Sequence, residues 1–398
     1  ARMMPPVVSQ VVKGTHAFAV HERYVLHEVV GQGAQGIICA AVDRHAPPGA
    51  NTVAIKKVSN VFDDQMAAKR LLREIQLLRH FHHDNILRLR DLSVHGSDIY
   101  MYTELMDCDL HFVISSGQTL SDDHIQYFLF QLLLGLHHIH LAGVVHRDLK
   151  PHNILLNKDC ELRICDFGLA RHLAVPDGGQ AGGGASPDDQ RLLTIYVTTR
   201  WYRAPELLCF NESYSTAVDI WSVGCILAEM LGRHALFPGR DYLDQIKLII
   251  TCLGTPSPSD LATLKNQRAA HYVQRLPPCA KMDFQTIYPN ASHDALDLLE
   301  RLLQFDPARR CTAADALRHP YLSAYHDEVI ELPNAQAHAS TGRLFEPSVT
   351  SSLDALRELI LAEASDFGER TQRQQQQHAC AAAVGQSPYA QPHILSES

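Results

Sequence analysis

His146-Arg147-Asp148-Leu149-Lys150-Pro151-His152-Asn153 is followed, eighteen residues after Asp148, by Asp166-Phe167-Gly168. Taken one at a time these residues are bland: Asp148 can cap a loop, Asn153 can brace a turn and Asp166 can end a strand. Their joint order is what carries information, and the flanks agree with it. Upstream, Ser121 with Asp122 and Asp123 predicts the capped start of a helix that runs to about Leu141. Further back, Tyr24 to Val58 alternates β-branched residues with turn signals and reads as three antiparallel strands, with two more at Leu87–Val94 and Ile99–Glu104. Between them, Met66, Leu71, Leu72, Ile75 and Leu78 recur at helical spacing. Downstream, Asp219–Leu231 and Ser292–Leu303 read as core helices, and Thr312 with Asp315 forms a capping box. A small β-rich region therefore precedes a larger helical one.

Composition narrows the function classes. The 398 residues are 46% hydrophobic and 20% charged, globular values, and the longest apolar stretch, Phe128 to Val145, is interrupted by Gln131, His137, His138 and His140, so no membrane span is expected. A net charge of −9 argues against a nucleic-acid-coating surface. Ten cysteines without a C-x-x-C pair suit the cytoplasm or the nucleus, and Cys160 and Cys165 straddle one short strand. Ala1 to Gln10 lacks the basic-then-apolar order of a signal peptide. Twenty-four histidines include His80, His82 and His83, but none stands in zinc-ligand spacing with cysteine.

Val30-Gly31-Gln32-Gly33-Ala34-Gln35-Gly36, with Ile38 beyond, lies between two expected strands, where glycines let backbone N–H groups approach a polyphosphate. A strand rather than a helix follows, which excludes the dinucleotide-binding fold. Val53-Ala54-Ile55-Lys56 puts a lysine on the third strand, and Glu74 on the following helix could pair with it. With these pieces the chain resembles the protein kinase family, whose separated motifs it carries in order. The resemblance implies an α+β, bilobal fold with a five-stranded small lobe, and phosphoryl transfer from ATP with Mg²⁺. Asp148 would then accept the proton of a substrate hydroxyl and Lys150 would face the transferring phosphate, a serine/threonine-kinase pattern. Lys56, held by Glu74, would meet the α/β-phosphates, and Asn153 and Asp166 would hold the metal. Thr103 falls at the gatekeeper position, with Glu104 and Met106 meeting adenine, Asp109 the ribose, Ala54 and Leu155 the faces of the base, and Cys165 the floor.

Thr194-Ile195-Tyr196-Val-Thr-Thr-Arg200-Trp201-Tyr202-Arg203-Ala204-Pro205-Glu206 further resembles the mitogen-activated protein kinase group. The likeness implies a switch by phosphorylation of Thr194 and Tyr196. Arg200 and Arg203 match the positions that grip phosphotyrosine, and Arg73, Arg147 and Arg171 those that gather around phosphothreonine. Each phosphate adds about −1.5 to −2 charge suited to bidentate arginines. Ile195 departs from the Glu, Asp, Pro or Gly common in the group, and the Gly-rich stretch Ala174–Asp189 lengthens the segment. Phe237-Pro-Gly-Arg-Asp-Tyr-Leu-Asp-Gln-Ile-Lys and Leu253-Gly-Thr-Pro resemble the insertion shared with cyclin-dependent kinases. By the same resemblance Asp219 steadies the catalytic loop, Arg310 pairs with Glu206, and Asp327 with Glu328 forms a partial acidic docking patch for basic motifs, since Ile330 stands where a second Asp is usual.

The expected organisation is an N-terminal lead at 1–19, a small lobe at 20–106 and a large lobe at 107–322. Within the latter fall an activation segment at 166–206 and an insertion near 238–285. A C-terminal extension at 323–367, including Phe345-Glu-Pro and Leu353–Ala362, would pack back on the kinase domain, and 368–398 would be a disordered Gln-rich tail. The expected activity is proline-directed serine/threonine phosphorylation by a monomer, acting on Ser/Thr-Pro proteins and activated by an upstream dual-specificity kinase or by itself. A cyclin-dependent-like kinase is a second reading, which Thr194-x-Tyr196 and the extension oppose. A scaffold on the kinase fold is a third.

Overall fold

The computed structural model describes residues 7–12, 16–33, 36–47, 49, 51–173, 200–210, 215–329 and 352–384, with side chains of the last stretch described to 368 and those of 328–329 left aside. The chain divides into two compact units, each described by itself: Ala1–Ala68 with Leu89–Leu105 and Ser352–Ser398, and Lys69–Arg88 with Met106–Ser351.

The first unit is a five-stranded antiparallel sheet in the order β3-β4-β5-β7-β6, formed by Tyr24–Gly33 (β3), Gly36–Asp43 (β4), Thr52–Val58 (β5), Leu89–His95 (β6) and Asp98–Glu104 (β7). Alternation along the strands gives it two faces. Val53 and Ile55 of β5 and Tyr100 and Tyr102 of β7 join Phe18, Val20, Tyr24 and Cys39 in one apolar core. That core is closed by a hairpin, Val7–Val12 (β1) and His16–His21 (β2), to which the sequence reading, with its N-terminal lead at 1–19, assigned no strands. Gln10 stitches the hairpin down, donating to Tyr24 O at 2.7 Å and accepting from Leu26 N at 3.2 Å.

The C-terminal helix Leu353–Val384 completes this unit by lying against β6, with Leu356 and Ile360 buried. Arg357 reaches over the Phe62 ring, 5.2 Å from its centroid. The helix carries on past residue 368, where disorder was expected. The run of glutamines and Ala379–Val384 has strong helix propensity even without an apolar stripe, and this is what the compositional argument overlooked.

The second unit is mainly helical. The helix Gln65–His80 (α1) passes into it from Lys69 on, so the expected small-lobe helix groups mostly with this unit. Contacts within the unit explain why: Arg73 Nη1 donates to Gly168 O at 2.8 Å, and the Phe81 ring lies 5.4 Å from that of Phe167. After a short strand, Cys108–Asp109 (β8), and helix Leu110–Ser115 (α2), Ser121 caps the long helix Asp122–Leu141 (α3) by accepting from His124 N. Ile154–Leu156 (β10) pairs with β8 and with Leu162–Ile164 (β11). Gln131, a polar break in the apolar run of α3, accepts from Leu162 N at 2.9 Å and donates to Cys160 O at 2.9 Å. A buried amide thus satisfies the backbone at both ends of β11's approach. Helices Ala217–Gly232 and His293–Leu302 are buried as the periodicity predicted, and Thr312 and Asp315 form the expected capping box. Helices Tyr242–Leu253, Pro258–Ala262, Gln267–Gln274 and Phe284–Ile287 follow in the stretch where an insertion near 238–285 was expected. Among the described residues no helix is long and apolar enough to cross a membrane.

Candidate active site

In the first unit Ala54, Lys56 and Thr103 alternate with the core residues Val53, Ile55 and Tyr102 and so share the sheet face opposite the apolar core. Pairing sets Lys56 opposite Ile38 on β4 and Met101 on β7, and Ala54 opposite Ala40 and Thr103, while Gly31 pairs with Ile38. Ala54 and Thr103 are nearly buried side by side. Gly36 is required by the fold: its φ is +126°, and a Cβ there would sit 2.2 Å from Lys57 O. Gly31 and Gly33 are under no such constraint, since a Cβ would meet ordinary contact or open space. Their lack of a side chain is therefore not explained by packing, as expected if the backbone there is kept open for a ligand. Val30 is exposed, Gln32 is the penultimate residue of β3, and Glu104 ends β7. Ala34 and Gln35 lie outside the described residues.

In the second unit the catalytic loop follows the two-residue strand Val144–Val145 (β9) and is fixed by a single carboxylate. Asp219, fully buried on helix Ala217–Gly232, accepts from His146 N and Arg147 N, each at 2.8 Å, and lies 2.9 Å from His140 Nε2. Burial opposes its charge, but the His140 hydrogen bond and the neighbouring donors more than offset that and hold its pKa below the ordinary carboxylate value. The two bonds also secure Arg147 in a left-handed conformation, φ 68°, that a non-glycine residue adopts only under constraint. His146 Nδ1 accepts from Asp148 N at 3.3 Å, so its proton sits on Nε2, 3.0 Å from Cys165 O. One imidazole thus ties the loop to the residue before Asp166.

Asp148, Lys150 and Asn153 form one cluster. Lys150 Nζ donates to Asp148 Oδ2 at 2.6 Å, and Asn153 Nδ2 donates to the same oxygen at 3.1 Å and to Asp148 O at 2.8 Å. The Asp148 and Lys150 side chains are each 13% exposed, reachable but confined. With both donors on Oδ2, Oδ1 is left to accept from an incoming hydroxyl. Asn153 O in turn receives Cys165 N at 3.0 Å and Cys165 Sγ at 3.4 Å, setting Asn153 beside the strand end that carries Asp166. Asp166 is also left-handed, φ 64°, and its Oδ1 accepts from Gly168 N at 3.4 Å. Phe167 is buried between His146 and Phe81, with ring centroids 4.9 and 5.4 Å away. Pairing sets Leu155 opposite Asp109, whose Oδ1 caps α2 through Phe112 N at 2.7 Å. Met106 and Glu74 belong to this unit too, the former half-buried and the latter buried.

The arginines fall into two sets. Arg171, on the short strand Arg171–His172 (β12), pairs with Val145, two residues before Arg147, while Arg73 bonds Gly168. Arg200 Nη1 donates to Gly239 O at 3.2 Å and Arg240 O at 2.8 Å, and its guanidinium lies 5.8 Å from the Tyr242 ring centroid. Arg203 Nη1 donates to Tyr242 Oη at 2.8 Å. Tyr242 is a site residue the sequence reading passed over, although it stands inside the quoted Phe237–Lys247 segment. Glu206 and Arg310 form the expected pair, bidentate at 2.7 and 2.8 Å. Asp327 is exposed on the short helix His326–Val329, which also carries Glu328. Thr194, Tyr196, the Ala174–Asp189 stretch, Ile330 and Phe345-Glu-Pro lie outside the described residues.

Residues 24–322, three-quarters of the chain and all the site residues above except Asp327 and Glu328, match the protein kinase domain. The chain belongs to the protein kinase family. This kinase is 48% identical over 355 residues to mitogen-activated protein kinase MPS1 of Pyricularia oryzae, covering 88% of this chain and 81% of that one. It is 47% identical over 364 residues to mitogen-activated protein kinase mpkA of Aspergillus fumigatus, with 90% and 82% covered. Against mitogen-activated protein kinase 6 of Oryza sativa it is 47% identical over 343 residues, with 85% and 86% covered. It is a serine/threonine protein kinase of the mitogen-activated group. The kinase domain implies use of ATP.

Proposed function

We propose that this kinase transfers the γ-phosphate of ATP to serine or threonine followed by proline, and that phosphorylation of Thr194 and Tyr196 switches it on. The observation that carries the reading is the convergence of Lys150 and Asn153 on one oxygen of Asp148. Asp148 Oδ1 orients the substrate hydroxyl and takes its proton as the bond to phosphorus forms. Lys150, already within reach of that carboxylate, faces the negative charge that develops on the phosphoryl oxygens. By the kinase scheme Lys56 would steady the α/β-phosphates with Glu74 as its expected partner, and Ala54, Thr103, Glu104, Met106, Leu155 and Cys165 would receive adenine.

Asn153 and Asp166 fit Mg²⁺ by the chemistry of their donors. Both offer oxygen, and because Asn153 Nδ2 is committed to Asp148 its carbonyl oxygen is the atom turned outward. When bound, the ion neutralises charge across the phosphates.

Arg200 and Arg203 would receive phosphorylated Tyr196 and shape the pocket for proline, and Arg73, Arg147 and Arg171 would gather phosphorylated Thr194. Asp327 and Glu328 would engage basic motifs on substrates and on an upstream dual-specificity kinase, and the protein would act as a monomer in the cytoplasm and nucleus. The test is labelled transfer from Mg-ATP to peptide pairs that differ only in Pro or Ala after the acceptor. It is run before and after phosphatase treatment, with Lys56→Met as the blank. Transfer that needs proline and is abolished by phosphatase is expected; equal transfer to both peptides would remove the proline assignment.

A further inference from the structure

The phosphoryl-transfer scheme uses none of the histidines clustered at the end of α1, yet one of them is wired to the strand that leads to Asp166. His83 Nδ1 accepts from Asn85 N at 3.0 Å, so in the neutral ring the proton sits on Nε2. Asn85 is buried and holds β11 at both ends. Its Nδ2 donates to Leu162 O at 3.2 Å and to Gln131 Oε1 at 3.3 Å, and its carbonyl oxygen accepts from Ile164 N at 2.9 Å. Ile164 O in turn accepts from Leu87 N at 2.9 Å, and Asp166 stands two residues further on. Gly135 of α3 allows this approach, since a Cβ there would lie 2.9 Å from Asn85 O.

What surrounds His83 decides how it titrates. Its ring packs on that of His138 in α3 at 4.9 Å, tilted by 40°, and the His138 ring lies 5.9 Å from that of Phe81. Its charged and titratable neighbours are Asp84 in its own loop, Arg163 of β11, and His137 with His138 of α3. Burial is the largest influence, Asp84 opposes it, and Arg163 and His137 reinforce it, so the pKa lies below the ordinary 6.5. A proton taken up by the neutral ring goes to Nδ1, the nitrogen that has a lone pair to offer. The Asn85 N–H then faces a donor where it had an acceptor, and the bond is lost.

We propose that His83 is a positioning residue that acts as a proton-sensitive latch. Its neutral ring holds Asn85, and through Asn85 the strand that leads to Asp166; protonation at Nδ1 releases that hold and lowers phosphoryl transfer. The effect on transfer rests on the kinase reading above, whereas the latch itself does not. His83 lies outside the residues assigned to nucleotide and acceptor, so release should lower kcat and leave the peptide KM in place. The sign follows from a depressed folded value: the latch is closed at pH 7 and above, and opens as pH falls through the folded pKa.

The experiment uses the full chain and follows kcat and KM for a Ser-Pro peptide from pH 8 to 5, together with the nitrogen NMR shifts of the His83 ring and the Asn85 amide. His83→Asn keeps an acceptor for the backbone N–H two residues on but does not titrate in this range, and His83→Ala offers no acceptor. The wild-type kcat divided by that of His83→Asn should fall about fivefold on acidification, the scale of one hydrogen bond, at the midpoint of both shifts. His83→Ala should be about fivefold slower than His83→Asn at every pH, with the peptide KM unchanged. A ratio of wild type to His83→Asn that is constant with pH would overturn the proposal, as would a His83 titration that the Asn85 amide does not follow. If His83→Asn does not fold, the two wild-type shifts must still move together, and at the pH where kcat falls; separate midpoints would overturn the latch. Absence of transfer at every pH, with the two shifts moving together, would strike the kinase reading and still support the latch.

Discussion

Arg310 and Arg200 carry the same guanidinium into the same unit and are met in opposite ways. Arg310, with a fully buried side chain, is neutralised by Glu206 through two parallel bonds, and its remaining donors go to Gln304 O, Ala217 O and Phe305 O. Arg200 is held by two backbone carbonyls and the face of Tyr242. A guanidinium matched by a carboxylate is a finished electrostatic unit; one oriented by dipoles keeps its charge and can respond to a dianion. A fold can therefore place identical residues in one unit and make one a rivet with a carboxylate partner while the other is oriented by carbonyl dipoles.

The largest expected effect belongs to a residue that is neither. Asp148→Asn should lower transfer about 10²- to 10⁴-fold, the contribution of a positioned general base, with the thermal midpoint unchanged. A parallel loss of stability would show that the loop needs its charge as an anchor. Next comes the rivet: Glu206→Ala should cost about 3–5 kcal/mol in denaturant unfolding, because it strands a buried cation. A cost below about 1 kcal/mol would erase the distinction between the two arginines. Smaller still, Tyr242→Phe should cost about 0.5–1.5 kcal/mol, the worth of the hydrogen bond to Arg203. If Arg200 and Arg203 receive phosphotyrosine, the same variant should leave phosphatase-sensitive activation in place, whereas Arg203→Lys, which lacks the planar fork, should weaken it.

The smallest effect is in pH. Burial lowers the pKa of His21, His80, His83, His95 and His152 below 6.5. Below that value the unfolded chain takes up protons that the folded chain refuses, so stability should fall modestly from pH 7 toward each folded pKa. The depressed Asp219 acts only below the ordinary carboxylate range, outside this window. A thermal midpoint that rises on acidification from pH 7 to 5.5 would contradict the assignment.

What was legible in the sequence follows from how local the physics is. Asp148, Lys150 and Asn153 are close along the chain, so their chemistry could be read there, and the strand alternation around Ala54 and Lys56 announced which residues share a face. Ser121 and the Thr312–Asp315 box act over three residues and were found where expected. Contacts formed only by the fold were not legible. Tyr242 reaches Arg203 across 39 positions, and nothing in either neighbourhood demands it. The hold of Asn85 on Leu162, across 77 positions, is of the same kind. The hairpin at the N-terminus was missed because its stability comes from Gln10 bonding a distant strand, and the length of the C-terminal helix because glutamine and alanine favour helix without leaving an apolar period.

That helix has a consequence for how the protein is made. The sheet unit is assembled from the first 68 residues, a middle stretch and residues from Ser352 onward. On the ribosome, β6 is finished long before Leu356 and Ile360 emerge to cover it. The first unit to be translated is thus the last that can be completed, and for most of synthesis it must wait with an apolar face uncovered. Nascent chains stalled before residue 352 should therefore depend on chaperones more than chains released in full.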